Sequence, residues 1–165
     1  MSELLEEKME LDEDTQKGKY LTFVLGKEEY GIDIRYVTEI VGLQSITEVP
    51  ELPAYVKGII NLRGKIIPVI DVRLRFRKEP REYNDRTCTI VIDVRGISAG
   101  LIVDAVSEVI SIDGANVVPP PNVNGSSNQR YIKGIGKVGS TVKLLLDCDE
   151  LLSDDDVQEL SDIQI

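Results

Sequence analysis

From Tyr20 onward the chain breaks into short apolar runs separated by glycine, proline and charged turns, the pattern of strands rather than helices. Tyr20–Leu25 is a β-rich run ended by Gly26–Glu29, and Glu29–Ile34 completes a hairpin. Ile34, Val37, Ile40 and Val41 fall close to helical spacing, which predicts a short helical turn within 33–41. Pro50 and Pro53 mark a loop. Tyr55–Asp71 then places apolar runs on both sides of Arg63-Gly64, a tight hairpin turn in which glycine supplies positive φ. Pro68 cannot donate to a ladder, so its strand is expected at an edge or with a bulge. Residues 73–86 read as a charged connector. Thr87–Val94, Ile97–Val103 and Val106–Ile112 read as further strands, with turns at Arg95-Gly96 and Asp113-Gly114. Residues 117–130 are a Pro-, Asn- and Ser-rich loop, and Tyr131–Lys137 with Thr141–Asp147 forms a last hairpin. Ser153 followed by acidic residues, Val157 and Leu160 predicts a short terminal helix with a serine N-cap.

The pattern repeats. At an offset of 69, Gly31–Val41 lies over Gly100–Ile110; at an offset of 76, Tyr55–Ile59 lies over Tyr131–Ile135 and Asp71 over Asp147. Seven extra residues in the Pro-rich loop reconcile the two offsets. Each half supplies about five short strands, too few for an open sheet without exposed edges and a thin core. Curling each half into a barrel removes both problems. The predicted fold is therefore mainly β: two five-stranded barrels related by duplication, with a short helical turn and a short C-terminal helix. The expected boundaries are a flexible acidic segment over 1–17, a single domain over 18–152, and an acidic helix over 153–165. Within the domain, the first barrel is mainly 18–82 and the second mainly 83–147, with strand exchange allowed. Features shared by the halves, such as Gly58 and Gly134, read as architectural: a bulge or a close backbone approach. The Asn61–Gly64 turn occurs in the first half alone, so it is the better functional candidate.

Composition changes the picture in two ways. There is no histidine, which removes the commonest general base and the paired Ser-His and Cys-His nucleophiles. The net charge of −10 sits in the ends of the chain, with seven acidic and two basic groups over 1–17 and eight acidic groups and no basic one over 147–165. The remainder is close to neutral, with a basic run at Arg73, Arg75, Arg77, Lys78, Arg81 and Arg86. Such a rim keeps a nucleic-acid-binding barrel as the alternative reading, though aromatics for base stacking are sparse. Cys88 and Cys148 share no metal spacing and read as buried thiols. Gly134–Gly139 lacks the ending of a phosphate loop, and the acidic C-terminal stretch lacks EF-hand spacing. No catalytic constellation, metal site or cofactor is expected. An acidic N-terminus without an apolar core is no signal peptide, and no run is long enough to span a membrane, so the expected location is the cytoplasm.

Tyr30-Gly-Ile-Asp-Ile34, Val37-x-Glu-Ile40, Ile46-Thr-x-Val-Pro50, Gly58-Ile-Ile-Asn-Leu-Arg-Gly64 and Ile67-Pro-Val-Ile-Asp71 together resemble the CheW family of chemotaxis coupling proteins. Gly100–Val109 and Tyr131–Gly136 fit as well, so the resemblance covers nearly all of 18–152. It implies two SH3-like barrels and a non-catalytic adaptor. Such a protein couples the CheA histidine kinase, through its regulatory domain, to the cytoplasmic coiled-coil tips of chemoreceptors in membrane-anchored arrays. Carried over by position, the resemblance implies that Val37, Glu39, Ile40, Gly58, Asn61, Arg63 and Gly64 lie at or support partner contacts. It also implies that Leu101, Val103, Val106 and Val109 line a receptor groove between the barrels.

Overall fold

The computed structural model describes residues 16–120, 130–153, 157 and 159–160, which build eleven strands and two short helices. The first half contributes β1 (Lys19–Leu25), β2 (Glu28–Asp33), β3 (Val37–Gly42), β4 (Val56–Leu62), β5 (Lys65–Asp71) and helix α1 (Val72–Arg75). The second contributes β6 (Cys88–Val94), β7 (Ile97–Val103), β8 (Ala105–Ser111), β9 (Val117–Val118), β10 (Ile132–Val138), β11 (Thr141–Leu146) and helix α2 (Cys148–Leu151). The chain is mainly β and consists of two SH3-like halves.

The strands form a six-stranded sheet ordered β8-β1-β2-β11-β10-β9 and a five-stranded sheet ordered β3-β6-β7-β5-β4. The two orders are one pattern written twice under the offsets of 69 and 76. Antiparallel β1·β2 and β6·β7 correspond, as do the parallel pairs β2·β11 and β7·β5. Where the first sheet has β9, the second has a single bridge, Thr47 to Ile59. Each sheet borrows one hairpin from the other half. Strands β1 and β2 join the sheet of β8–β11, and β6 and β7 join that of β3–β5. Even the irregularities repeat: the β4·β5 ladder slips between Val56 and Gly58, and the β10·β11 ladder between Ile132 and Gly134. These are matched β-bulges.

The main core lies where the sheets face each other. Leu21, Phe23 and Leu25 of β1 and Ile32 of β2 meet Ile90 and Ile92 of β6 and Leu101 and Val103 of β7 in one buried cluster. A smaller cluster of Ile60, Ile67, Val69, Val91 and Ile102 fills the opposite side of the five-stranded sheet. Burying one such side chain stabilises by about 1.5–3 kcal/mol before entropy is counted. The faces interlock through a line of rings, Phe23–Tyr30–Phe76–Tyr131, with centroids 5.6, 5.5 and 5.6 Å apart.

Several local expectations change. The helical turn shrinks to three residues of 3-10 helix, Ile34–Tyr36, capped by the Asp33 side chain accepting from the Arg35 N–H. From Val37 the chain is the strand β3, because the β6 ladder offers it hydrogen bonds that a free helical turn lacks. The charged connector begins one turn late, since Asp71 accepts from the Leu74 N–H and starts α1. Asp147 does the same for α2 through the Glu150 N–H. Strand β5 lies inside its sheet despite Pro68. The β7 ladder starts at Val69, so Pro68 precedes the first position at which a donor is needed on that side. The acidic segment before residue 16 and Asp154, Asp155, Asp156 and Asp162 lie outside the described residues, while Val157 and Leu160 are helical and buried in the main core.

Candidate functional site

The β4–β5 turn carries Asn61, Arg63 and Gly64, where the equivalent β10–β11 turn of the second half has Lys137, Gly139 and Ser140. Arg63 and Gly64 adopt φ of 54° and 88°, the successive positive values of a type I′ turn. The Asn61 side-chain oxygen accepts the Gly64 N–H at 2.8 Å and locks the loop. Arg63 donates from Nη2 to Glu39 Oε2. Glu39 belongs to β3 and Arg63 to the β4–β5 turn, at opposite ends of the five-stranded sheet. The pair therefore links the two edges of the sheet. A bulge between Val37 and Glu39 in the β3·β6 ladder re-aims the glutamate toward this seam.

The Arg63 side chain is 70 % exposed and that of Glu39 22 %. A pair so placed contributes about 0–1 kcal/mol, so either member can exchange partners at low cost. Beneath it, Val37 and Ile40 are buried. Gly58 (φ 144°) faces the Thr47 bridge, and a Cβ there would lie 2.1 Å from the Thr47 carbonyl oxygen. Glu39, Asn61, Arg63 and Gly64 thus share one rim, and Val37, Ile40 and Gly58 support it from inside.

The other expected residues divide. Leu101 and Val103 are 0 % and 1 % exposed within the inter-sheet core, so the groove expected at them is filled by the partner sheet. Val106 and Val109 are half-buried on β8, the edge strand of the other sheet. They pack against the main core from that edge.

A cluster that was not singled out lies at Asp104. Its carboxylate accepts Arg73 Nε and Nη2 at 2.8 Å each, Arg81 Nη1 at 2.9 Å and the Gly26 N–H at 2.8 Å. Burial alone would raise the Asp104 pKa; the bonds from Arg73, Gly26 and Arg81 outweigh it and hold it at about 2. Tyr83 donates to Asp71 at 2.7 Å, and Lys78 pairs with Glu28 at 2.9 Å. The basic run is thereby partly neutralised: Arg73, Lys78 and Arg81 pair with carboxylates and Arg75 is buried, while Arg77, Arg81 and Arg86 stay exposed. A phosphate backbone would meet a rim partly neutralised by the protein's own carboxylates.

Among the described residues no three His, Cys, Asp or Glu side chains are grouped to hold a metal. Both thiols are buried, and burial pushes that of Cys148 up to about 12. No helix of the described residues is long and apolar enough to cross a membrane.

Comparison with known proteins agrees with the architecture. Residues 19–156 match the family model of the CheW-like domain. A chemotaxis protein CheW from Klebsiella aerogenes is 36% identical over 144 residues, covering 87% of each chain. One from Treponema pallidum is 37% identical over 147 residues, covering 87% of this chain and 86% of that protein. Among solved structures, the scaffolding protein TtCheW from Thermoanaerobacter tengcongensis superposes with a TM-score of 0.74 at 43% identity, covering 79% of this chain and 88% of that one.

Proposed function

The chain belongs to the CheW family, a chemotaxis scaffold and adaptor family, and from that premise we propose that it couples the CheA histidine kinase to the cytoplasmic tips of chemoreceptors. The observation that carries the reading is the rim at Arg63 and Glu39, an exposed charged pair set on a locked turn and on the opposite sheet edge. An arginine held in this way offers a planar donor fork to a partner at little cost to the fold. The rim and its buried support bind the kinase regulatory domain. Val106 and Val109, on the edge of the other sheet, meet the apolar stripe of a receptor helix. The protein performs no chemistry of its own. Receptor state biases kinase conformation because both bind one scaffold, a coupling free energy between sites. It acts in the cytoplasm, recruited to receptor arrays.

The test is calorimetry with Arg63→Ala against the kinase regulatory domain and a receptor fragment. The expected outcome is an unchanged fold and binding weakened by more than about 1 kcal/mol, as for an arginine hot spot. Unchanged affinity for both partners overturns the assignment.

A further inference from the structure

The duplication provides a control for each residue, because its counterpart shows what the fold requires there. Arg75 stands out by that comparison. Its counterpart in α2 is Leu151, fully buried, so the position is well filled by an apolar side chain. Arg75 is itself only 9% exposed. Its guanidinium carbon lies 4.1 Å from the Tyr55 ring centroid and 4.8 Å from that of Tyr131. These tyrosines are also counterparts, and their carbonyls accept the Asp71 and Asp147 N–H groups at 2.8 and 2.7 Å. The charge therefore sits between equivalent points of the two halves. Arg130, whose counterpart is Ala54, brings a second guanidinium to 4.8 Å from the Tyr131 ring and donates to the Tyr131 hydroxyl at 2.6 Å.

The Nε and Nη2 atoms of Arg75 are buried and lack a hydrogen-bond partner among the described residues. Ring faces attract the cation but do not satisfy its N–H groups, and a buried charged donor left unmade is costly. The fold accepts that cost at one of two equivalent positions and avoids it at the other. The apolar counterpart shows that the fold itself does not require a charge at this position.

We propose that Arg75 and Arg130 form a carboxylate-binding site where the two halves meet. Nε and Nη2 share one edge of the guanidinium, and their spacing matches the two oxygens of a carboxylate. Because the group already lies over two rings, a planar acceptor at its edge fits better than a tetrahedral phosphate. A carboxylate drawn to the exposed Arg130 competes with the Tyr131 hydroxyl for that guanidinium, beside the ring that stacks on Arg75. The source is an acidic side chain of a bound protein or a free small carboxylate. The site follows from the duplication and does not depend on the adaptor reading.

The test follows the arginine Nε–H signals of the 15N-labelled full chain by NMR, with thermal denaturation in parallel. Sodium acetate, a glutamate-rich hexapeptide and inorganic phosphate are titrated separately at fixed ionic strength. A saturable shift of the Arg75 signal with acetate and peptide, stronger than with phosphate, supports the site. A peptide midpoint tenfold or more below that of acetate identifies a protein side chain as the source; equal midpoints identify a free carboxylate. Arg75→Met should abolish the saturable shift of the Arg130 Nε–H signal and leave Tm at or above that of the parent. Arg130→Gln should weaken the response while Arg75 stays in place. The proposal is overturned by no saturable shift, by a phosphate response equal to that of acetate, or by Arg75→Met lowering Tm by about 3 °C or more, the mark of a structural pin.

Discussion

Gly58 and Gly134 occupy the same bulge in the two halves, yet replacing each with alanine should have very different consequences. At Gly58 a Cβ would meet the Thr47 carbonyl oxygen at 2.1 Å and its carbon at 2.9 Å, both of them backbone, and φ is 144°. Relief requires moving Thr47, which breaks the two bonds of its bridge, Thr47 N–H to the Ile59 carbonyl at 2.8 Å and Ile59 N–H to the Thr47 carbonyl at 2.9 Å. Two such bonds contribute about 1–3 kcal/mol together. The backbone conformation adds about 1–2 kcal/mol for a non-glycine residue. Gly58→Ala should therefore destabilise by about 2–5 kcal/mol. At Gly134 the nearest atoms to a Cβ are Val117 Cγ1 at 3.0 Å and the Val118 carbonyl oxygen at 3.4 Å. A methyl group can give way by a few tenths of an ångström, so Gly134→Ala should cost about 1 kcal/mol. Urea unfolding followed by circular dichroism measures both, with equal m-values as the condition for comparing them. Costs within 1 kcal/mol of each other would refute the reasoning, because the asymmetry rests on the Thr47 backbone.

Asp104→Asn removes the acceptor for Arg73 and Arg81 and should destabilise by about 1–2 kcal/mol at neutral pH, the shift from 3.8 to about 2 discounted for solvent screening. Because the folded pKa is the lower one, this stabilisation is present above about 3.8 and disappears as pH falls toward 2, so the variant's acid-unfolding curve should lack that limb. Leu101→Ala should cost about 2–5 kcal/mol by opening a cavity between the sheets, measured by thermal and urea unfolding, and a near-neutral result would contradict its place in the core. Asp147→Ala should cost about 0.5–2 kcal/mol through lost capping of α2. Cys148 should react with a thiol reagent only as the chain unfolds, since burial both hides it and suppresses its thiolate; rapid labelling of the native protein would contradict this.

The duplication and the glycine bulges were legible in sequence because each depends on local residues that recur. The aspartates at 71 and 147 already carried the signal for both short helices, but a four-residue helix has too little periodicity to register. Strand exchange left no trace, since a hairpin has the same pattern whichever sheet receives it. The rim at Arg63 was found because the halves differ there, whereas its role in linking the sheet edges needed the three-dimensional meeting with Glu39. Reading the whole of Arg73 to Arg86 as free charge overlooked its ion pairs for a similar reason. Their acceptors, Glu28 and Asp104, lie 50 and 31 residues away from Lys78 and Arg73 in sequence.

The exchanged hairpins also bear on ancestry. A single half, taken alone, would offer β1 and β2 to a sheet whose other strands it does not contain, and β3–β5 to a sheet missing its centre. Two copies of one half, each lending its first hairpin to the other, would complete both sheets with no new pairing. The present chain has the topology of a domain-swapped homodimer whose subunits have been joined end to end. Such a fusion frees the two copies to diverge, one acquiring the Asn61–Arg63 turn and the other the longer loop, which a symmetric dimer could never do separately.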